Sequence, residues 1–207
     1  MDKYFAWFGL PGSLVLTTLL SITAIALAIC FRTKDRKIAA FAMVCCSMGD
    51  IVLAGYFGLD ELLGTGGFYV GAGIFIIGHL IYIAAYMVQI RTNNYTYKNK
   101  GFWCGIVFTA AVFLVITVYM VANGTFPGIT MYGICILYAC IIGADLSTIW
   151  SFSYSACSKK SFAALGVLVF FVSDLVIGIG RLCGINDFDV LIWWLYPIGQ
   201  FVVILCA

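Results

Sequence analysis

The sequence predicts an all-α bundle of transmembrane helices, and three observations carry that reading. Of 207 residues, 64% are hydrophobic and only 10% are charged, whereas a soluble domain runs near 45–50% apolar and about 25% charged. Seven apolar runs approach the roughly 20 residues that a spanning helix needs, with loops too short for a soluble domain between them. The positive charge falls in alternate loops. Mean hydropathy is +1.09, and a soluble globular enzyme is excluded. The 16% aromatic content excludes disorder, and a net charge of +2 leaves no basic surface for nucleic acid. Residues 1–207 read as one transmembrane helical domain, integral and multi-pass, in a bacterial cytoplasmic membrane.

The elements follow in order. The first run, Leu10–Phe31, is too long for a cleaved signal peptide, and its positive flank (Arg32, Lys34, Arg36, Lys37) follows it rather than precedes it. The second, Ile38–Phe57, leads to Asp60 and Glu61. The third, Phe68–Ile90, is followed by Arg91, Lys98 and Lys100. The fourth, Phe102–Ala122, ends in the neutral Asn123–Pro127 turn. The fifth, Ile129–Trp150, precedes Lys159 and Lys160. The sixth, Phe162–Arg181, precedes Asp187, and the seventh is Asp189–Cys206. Nine of the eleven Lys and Arg residues thus sit in alternate loops, with only Lys3 and Arg181 on the other side. By the positive-inside rule the N-terminus is outside and the C-terminus cytoplasmic.

Nine cysteines contain no Cys-x-x-Cys pair, and only Cys183 falls in an outer loop. No external disulfide between loops is expected, and the cysteines read as small apolar packing residues.

A weak internal repeat relates the second and sixth spans. Met48-Gly49-Asp50-Ile51-Val52-Leu53-Ala54 matches Val172-Ser173-Asp174-Leu175-Val176-Ile177-Gly178 in pattern. Gly78-His79 and Gly199-Gln200 follow at separations of 29 and 26 residues from each Asp to the second residue of the pair. A parallel duplication would make three helices, a linker helix and three more, and would turn the two Asp residues toward each other.

Ionisable groups near the bilayer centre cost roughly 2.5–3.5 kcal/mol on insertion scales, so each requires a reason. Asp50, His79, Asp174, Tyr196 and Gln200 are expected in one layer from the centre to the outer half. His79, Tyr82 and Tyr86 share a face at i, i+3, i+7. Asp145, about five residues from the inner end of its span, reads as a rim residue reaching the inner surface. One histidine cannot build a three-His zinc site, no Gly-x-Ser-x-Gly elbow or Gly-rich phosphate loop is present, and no lysine lies inside a span. No metal and no cofactor is expected. Two carboxylates, an imidazole and several phenols in a dry site suit acid–base catalysis.

At these residues the chain resembles the YhhN family of integral membrane proteins, whose animal members are lysoplasmalogenases. The resemblance rests on Ser47-Met48-Gly49-Asp50, on Gly78-His79-Leu80-Ile81-Tyr82, on Gly166 through Phe170 to Ser173-Asp174, and on Tyr196-Pro197-Ile198-Gly199-Gln200. These are the family's Gly-Asp, His-x-x-Tyr, Gly-x-x-x-Phe-x-x-Ser-Asp and Tyr-x-x-x-Gln in order, over about residues 38–206. Family members usually have eight spans, with a Lys-Pro pair opening the helix before the Gly-Asp helix. Here that helix opens Leu10-Pro11-Gly12, and seven spans are counted.

The resemblance implies hydrolysis of the vinyl ether bond of a lysoplasmalogen, with Asp50, Asp174 and His79 as catalytic residues. Tyr82, Ser173, Tyr196 and Gln200 would orient the substrate, a lysophospholipid held within the bilayer. No soluble protein partner is expected, and homo-oligomerisation is left open. The alternative is a small-solute or proton-coupled transporter of three-one-three arrangement. The absence of a Pro-Gln pair speaks against a sugar-type carrier. A seven-helix receptor ranks lower still, because its short loops leave little surface for a partner.

Overall fold

The computed structural model describes residues 6–7, 10–64, 66–124, 128–156, 159–183 and 189–207. Lys3, Cys157, Asp187 and the Thr125–Pro127 part of the expected turn lie outside the described residues, as do the side chains of Asp60, Lys159, Arg181 and Cys183.

Each of the seven apolar runs is a helix. A two-residue antiparallel pairing of Ala6–Trp7 with Leu10–Pro11 leads into α1 (Gly12–Phe31). Then come α2 (Lys34–Leu53), a short α3 (Leu59–Leu63), α4 (Gly66–Thr92) and α5 (Lys100–Asn123). The chain ends with α6 (Ile129–Ala156), α7 (Ala163–Cys183) and α8 (Asp189–Cys206). Five of these, α1, α4, α5, α6 and α7, are long and apolar enough to cross a membrane. The protein is therefore an integral multi-pass membrane protein with an all-α fold. The charged start of α2 (Lys34, Asp35, Arg36, Lys37) shortens its apolar part, and the apolar stretch of α8 is Trp194–Cys206.

The bundle is held by close approach at glycines. α2 packs along α4, and α7 along α8, the same pairs that the sequence repeat relates. A Cβ at Gly78 would lie 2.6 Å from Cys46 Sγ and 3.4 Å from the Ala42 carbonyl oxygen. One at Gly199 would lie 2.6 Å from the Phe170 backbone nitrogen. Both positions admit only glycine without displacement. The residue after each glycine, His79 or Gln200, is turned inward and fully buried.

Polar contacts also follow helical spacing. Ser13, Thr17 and Ser21 recur every four residues on α1 and share one face. Ser13 hydrogen-bonds Tyr56, Thr17 donates to Asp50, and Ser21 pairs with Ser47 at 2.7 Å. At the end bearing the Lys and Arg loops, Arg36 donates to the carbonyls of Ile204 and Leu205. It thereby satisfies carbonyls left open at the end of α8 and complements the helix dipole there.

Candidate active site

Six helices contribute to one cavity of about 370 Å³. Its wall takes Asp50 and Leu53 from the end of α2, and Phe68, Ala72 and Phe75 from the start of α4. Thr109 and Phe113 come from α5, Tyr138 and Ile142 from α6, Phe171 and Asp174 from α7, and Tyr196 from α8. Neighbouring helices run in opposite directions, so late residues of α2, α5 and α7 meet early residues of α4, α6 and α8 in the same half of the bundle. That half is the one away from the Lys and Arg loops. The wall is mainly apolar. An antiparallel helix bundle offers aliphatic and aromatic faces, and the polar atoms are confined to the few residues below.

Asp50 and Asp174 both open into this cavity. Asp50 accepts a hydrogen bond from Thr17 Oγ1 at 2.6 Å. The Tyr196 hydroxyl faces Asp50 but completes hydrogen-bond geometry with no protein group. Asp174 Oδ2 accepts the Tyr138 hydroxyl at 2.6 Å and lies 3.4 Å from His79 Nε2. Tyr138 also stands 3.4 Å from that same imidazole nitrogen. The two carboxylates therefore sit in different polar surroundings across one apolar space.

His79 does not reach the cavity wall. It is fully buried behind Asp174 and Tyr138, with its ring stacked on Phe170 at 5.0 Å between centroids and 14° between planes. Its Nδ1 lies 2.8 Å from Asp145 Oδ2. This corrects the reading of Asp145 as a rim residue. The span does not end at Trp150 but continues to Ala156, so Asp145 lies nearly two turns deeper than the apolar run alone implies. It is 1% exposed.

Tyr196 lines the cavity as a substrate-facing residue should, whereas Tyr82, Ser173 and Gln200 do not. Tyr82 donates to Gln200 Oε1 at 2.9 Å, joining α4 to α8. Ser173 lies 3.5 Å from the Ile192 carbonyl. These three were expected to orient substrate; the Tyr82 hydroxyl, Gln200 Oε1 and the Ser173 hydroxyl instead face groups across helix contacts, while Gln200 Nε2 meets no protein acceptor.

Sequence reading missed Tyr138 and Thr17. Tyr138 and Asp145 are seven residues apart on α6 and share a face, and Thr17 sits in the four-residue polar spacing of α1. Both signals are periodicities of polar residues inside apolar runs, visible once helix length is known.

The cysteines at 30, 45, 46, 104, 135, 140 and 206 are all free; Cys45, Cys46 and Cys206 are buried as packing residues, whereas Cys30, Cys104 and Cys140 are exposed on the bundle surface.

The arrangement is two carboxylates facing a mainly apolar space of about 370 Å³, one of them backed by an imidazole and a third, buried carboxylate, Asp145. Comparison with curated proteins gave no match, and neither did comparison with solved structures. The YhhN family model matches residues 13–207, taking in every helix that forms the cavity. The chain belongs to the YhhN family.

Proposed function

We propose that this protein hydrolyses the vinyl ether bond of lysoplasmalogens, releasing a fatty aldehyde and a glycerophospho-alcohol. The observation that carries the reading is the pair Asp50 and Asp174 on one largely apolar cavity inside the bundle. A vinyl ether is cleaved by adding a proton to its outer alkene carbon. The oxocarbenium ion so formed is captured by water, and the hemiacetal then collapses. A proton donor, a carboxylate facing the cation and a place for water are sufficient, as in glycoside hydrolysis.

The apolar wall accommodates the alkenyl chain, and the dry surroundings strengthen the attraction between carboxylate and cation. The Tyr196 hydroxyl, beside Asp50 on the cavity wall, is available to the ether oxygen or to water. His79 acts on Asp174 rather than on substrate, since it does not reach the wall.

The test is incubation of the purified protein in detergent with lysoplasmalogen, alongside the saturated 1-O-alkyl analogue. Aldehyde should form only from the vinyl ether, because the analogue has no alkene to protonate. Release from neither substrate, together with solute uptake by proteoliposomes, would replace this reading with a carrier.

A further inference from the structure

The acid-base pair has one group behind it that the reaction above does not use. Asp145 is buried on α6, does not line the cavity, and spends Oδ2 on His79 Nδ1 at 2.8 Å. Its other oxygen, Oδ1, meets no protein donor. An imidazole has two nitrogens, and here both face carboxylates: Nδ1 faces Asp145 and Nε2 faces Asp174 at 3.4 Å. Stacking on Phe170 fixes the ring plane, so His79 cannot turn away without breaking both contacts. The bond made by one ring nitrogen decides what the other presents.

We propose that Asp145 is a positioning residue. By accepting the Nδ1 proton of a doubly protonated His79 it keeps the Nε2 proton directed at Asp174, which makes Asp174 the standing carboxylate of the pair and leaves Asp50 to deliver the proton. The surroundings differ in this sense. Asp174 Oδ2 faces the Tyr138 hydroxyl and the imidazole, whereas Asp50 faces only hydroxyls, those of Thr17 and Tyr196. The logic is that of a buried carboxylate orienting a histidine in a catalytic triad, with a carboxylate in place of the nucleophile.

The proposal deepens the hydrolase reading, and its cycle balances. The Asp50 proton adds to the outer alkene carbon, whose π electrons form the new C–H bond, and the Asp174 carboxylate faces the cation. Water then adds to the oxocarbenium carbon and gives one proton to Asp174. Finally Asp50 takes the hemiacetal hydroxyl proton as the second C–O bond breaks, and Asp174 returns its proton to the departing glycerol oxygen. One water is consumed, and both carboxyls end as they began.

His79 is the sole histidine in the chain, so protein labelled with ¹⁵N-histidine gives one imidazole pair by NMR. In the wild type, both ring nitrogens should carry protons, and in Asp145→Ala the Nδ1 proton should be lost. With lysoplasmalogen, Asp145→Asn should lower kcat about 10²-fold, the lower end for an acid–base group, with KM little changed and partial recovery in Asp145→Glu. Formate should restore turnover to Asp174→Ala but not to Asp50→Ala. An unprotonated Nδ1 in the wild type, wild-type kcat in folded Asp145→Asn, or rescue of Asp50→Ala alone would overturn the proposal. If the wild type releases no aldehyde, the hydrolase reading fails, and the wild-type imidazole signal still decides the role of Asp145.

Discussion

Single side chains carry the chemistry, and conservative changes separate it from folding. Asp→Asn keeps size and most hydrogen bonding but removes the transferable proton. Asp50→Asn and Asp174→Asn should each lower turnover by about 10²–10⁴-fold, while thermal unfolding in detergent stays close to wild type, since a buried ionisable group is costly to keep. The double variant should lose little more than the worse single one, because residues that act as a unit are not additive. Steady-state aldehyde release measures all three. Tyr196→Phe removes a hydroxyl that faces Asp50, which keeps its hydrogen bond from Thr17. A fall in kcat with an unchanged melting temperature would show that the hydroxyl works on substrate; unchanged kinetics would confine Tyr196 to packing.

At the level of helices, the two glycine contacts are the points where packing has least tolerance. Gly78→Val would press side chain into Cys46 and the Ala42 carbonyl, and Gly199→Val into the Phe170 backbone. Overpacking of this kind costs roughly 1–3 kcal/mol, and more when the obstacle is backbone. Gly199→Val should therefore show the larger drop in melting temperature by thermal-shift assay, and equal stability of both variants with wild type would contradict the contact. How much of the fold was legible follows from the same elements. The seven apolar runs, Asp50, Asp174 and His79 stand out because an intramembrane polar group is rare and hydropathy marks span positions well. The end of α6 did not, since Ser151, Ser153 and Ser155 interrupt the apolar run while the helix continues to Ala156. That misplacement by nearly two turns hid the Asp145–His79 pair. Tyr82, Ser173 and Gln200 were recognisable as polar and inward, but the choice between bridging helices and meeting substrate depends on which helices adjoin, and that is a property of the packed bundle.

The whole molecule has a direction. The cavity lies in the half away from the Lys and Arg loops, which the positive-inside rule predicts to face outside. Reporters fused after Arg36, Lys98 and Lys160 should read as cytoplasmic, and an N-terminal tag should be reachable from outside. Cys135 lines the cavity as a free thiol. A membrane-impermeant thiol reagent added to sealed right-side-out vesicles should label it, with Cys135→Ser as the control; labelling of Cys135 only in inverted vesicles would place the cavity on the cytoplasmic side. Both experiments concern where the site faces. The central claim is that two carboxylates on this cavity cleave a vinyl ether, and aldehyde release from lysoplasmalogen by purified wild type, Asp50→Asn and Asp174→Asn tests it most directly. The account predicts rapid release by the wild type and loss of at least about 10²-fold in each folded variant. Near-wild-type release by both variants would contradict it.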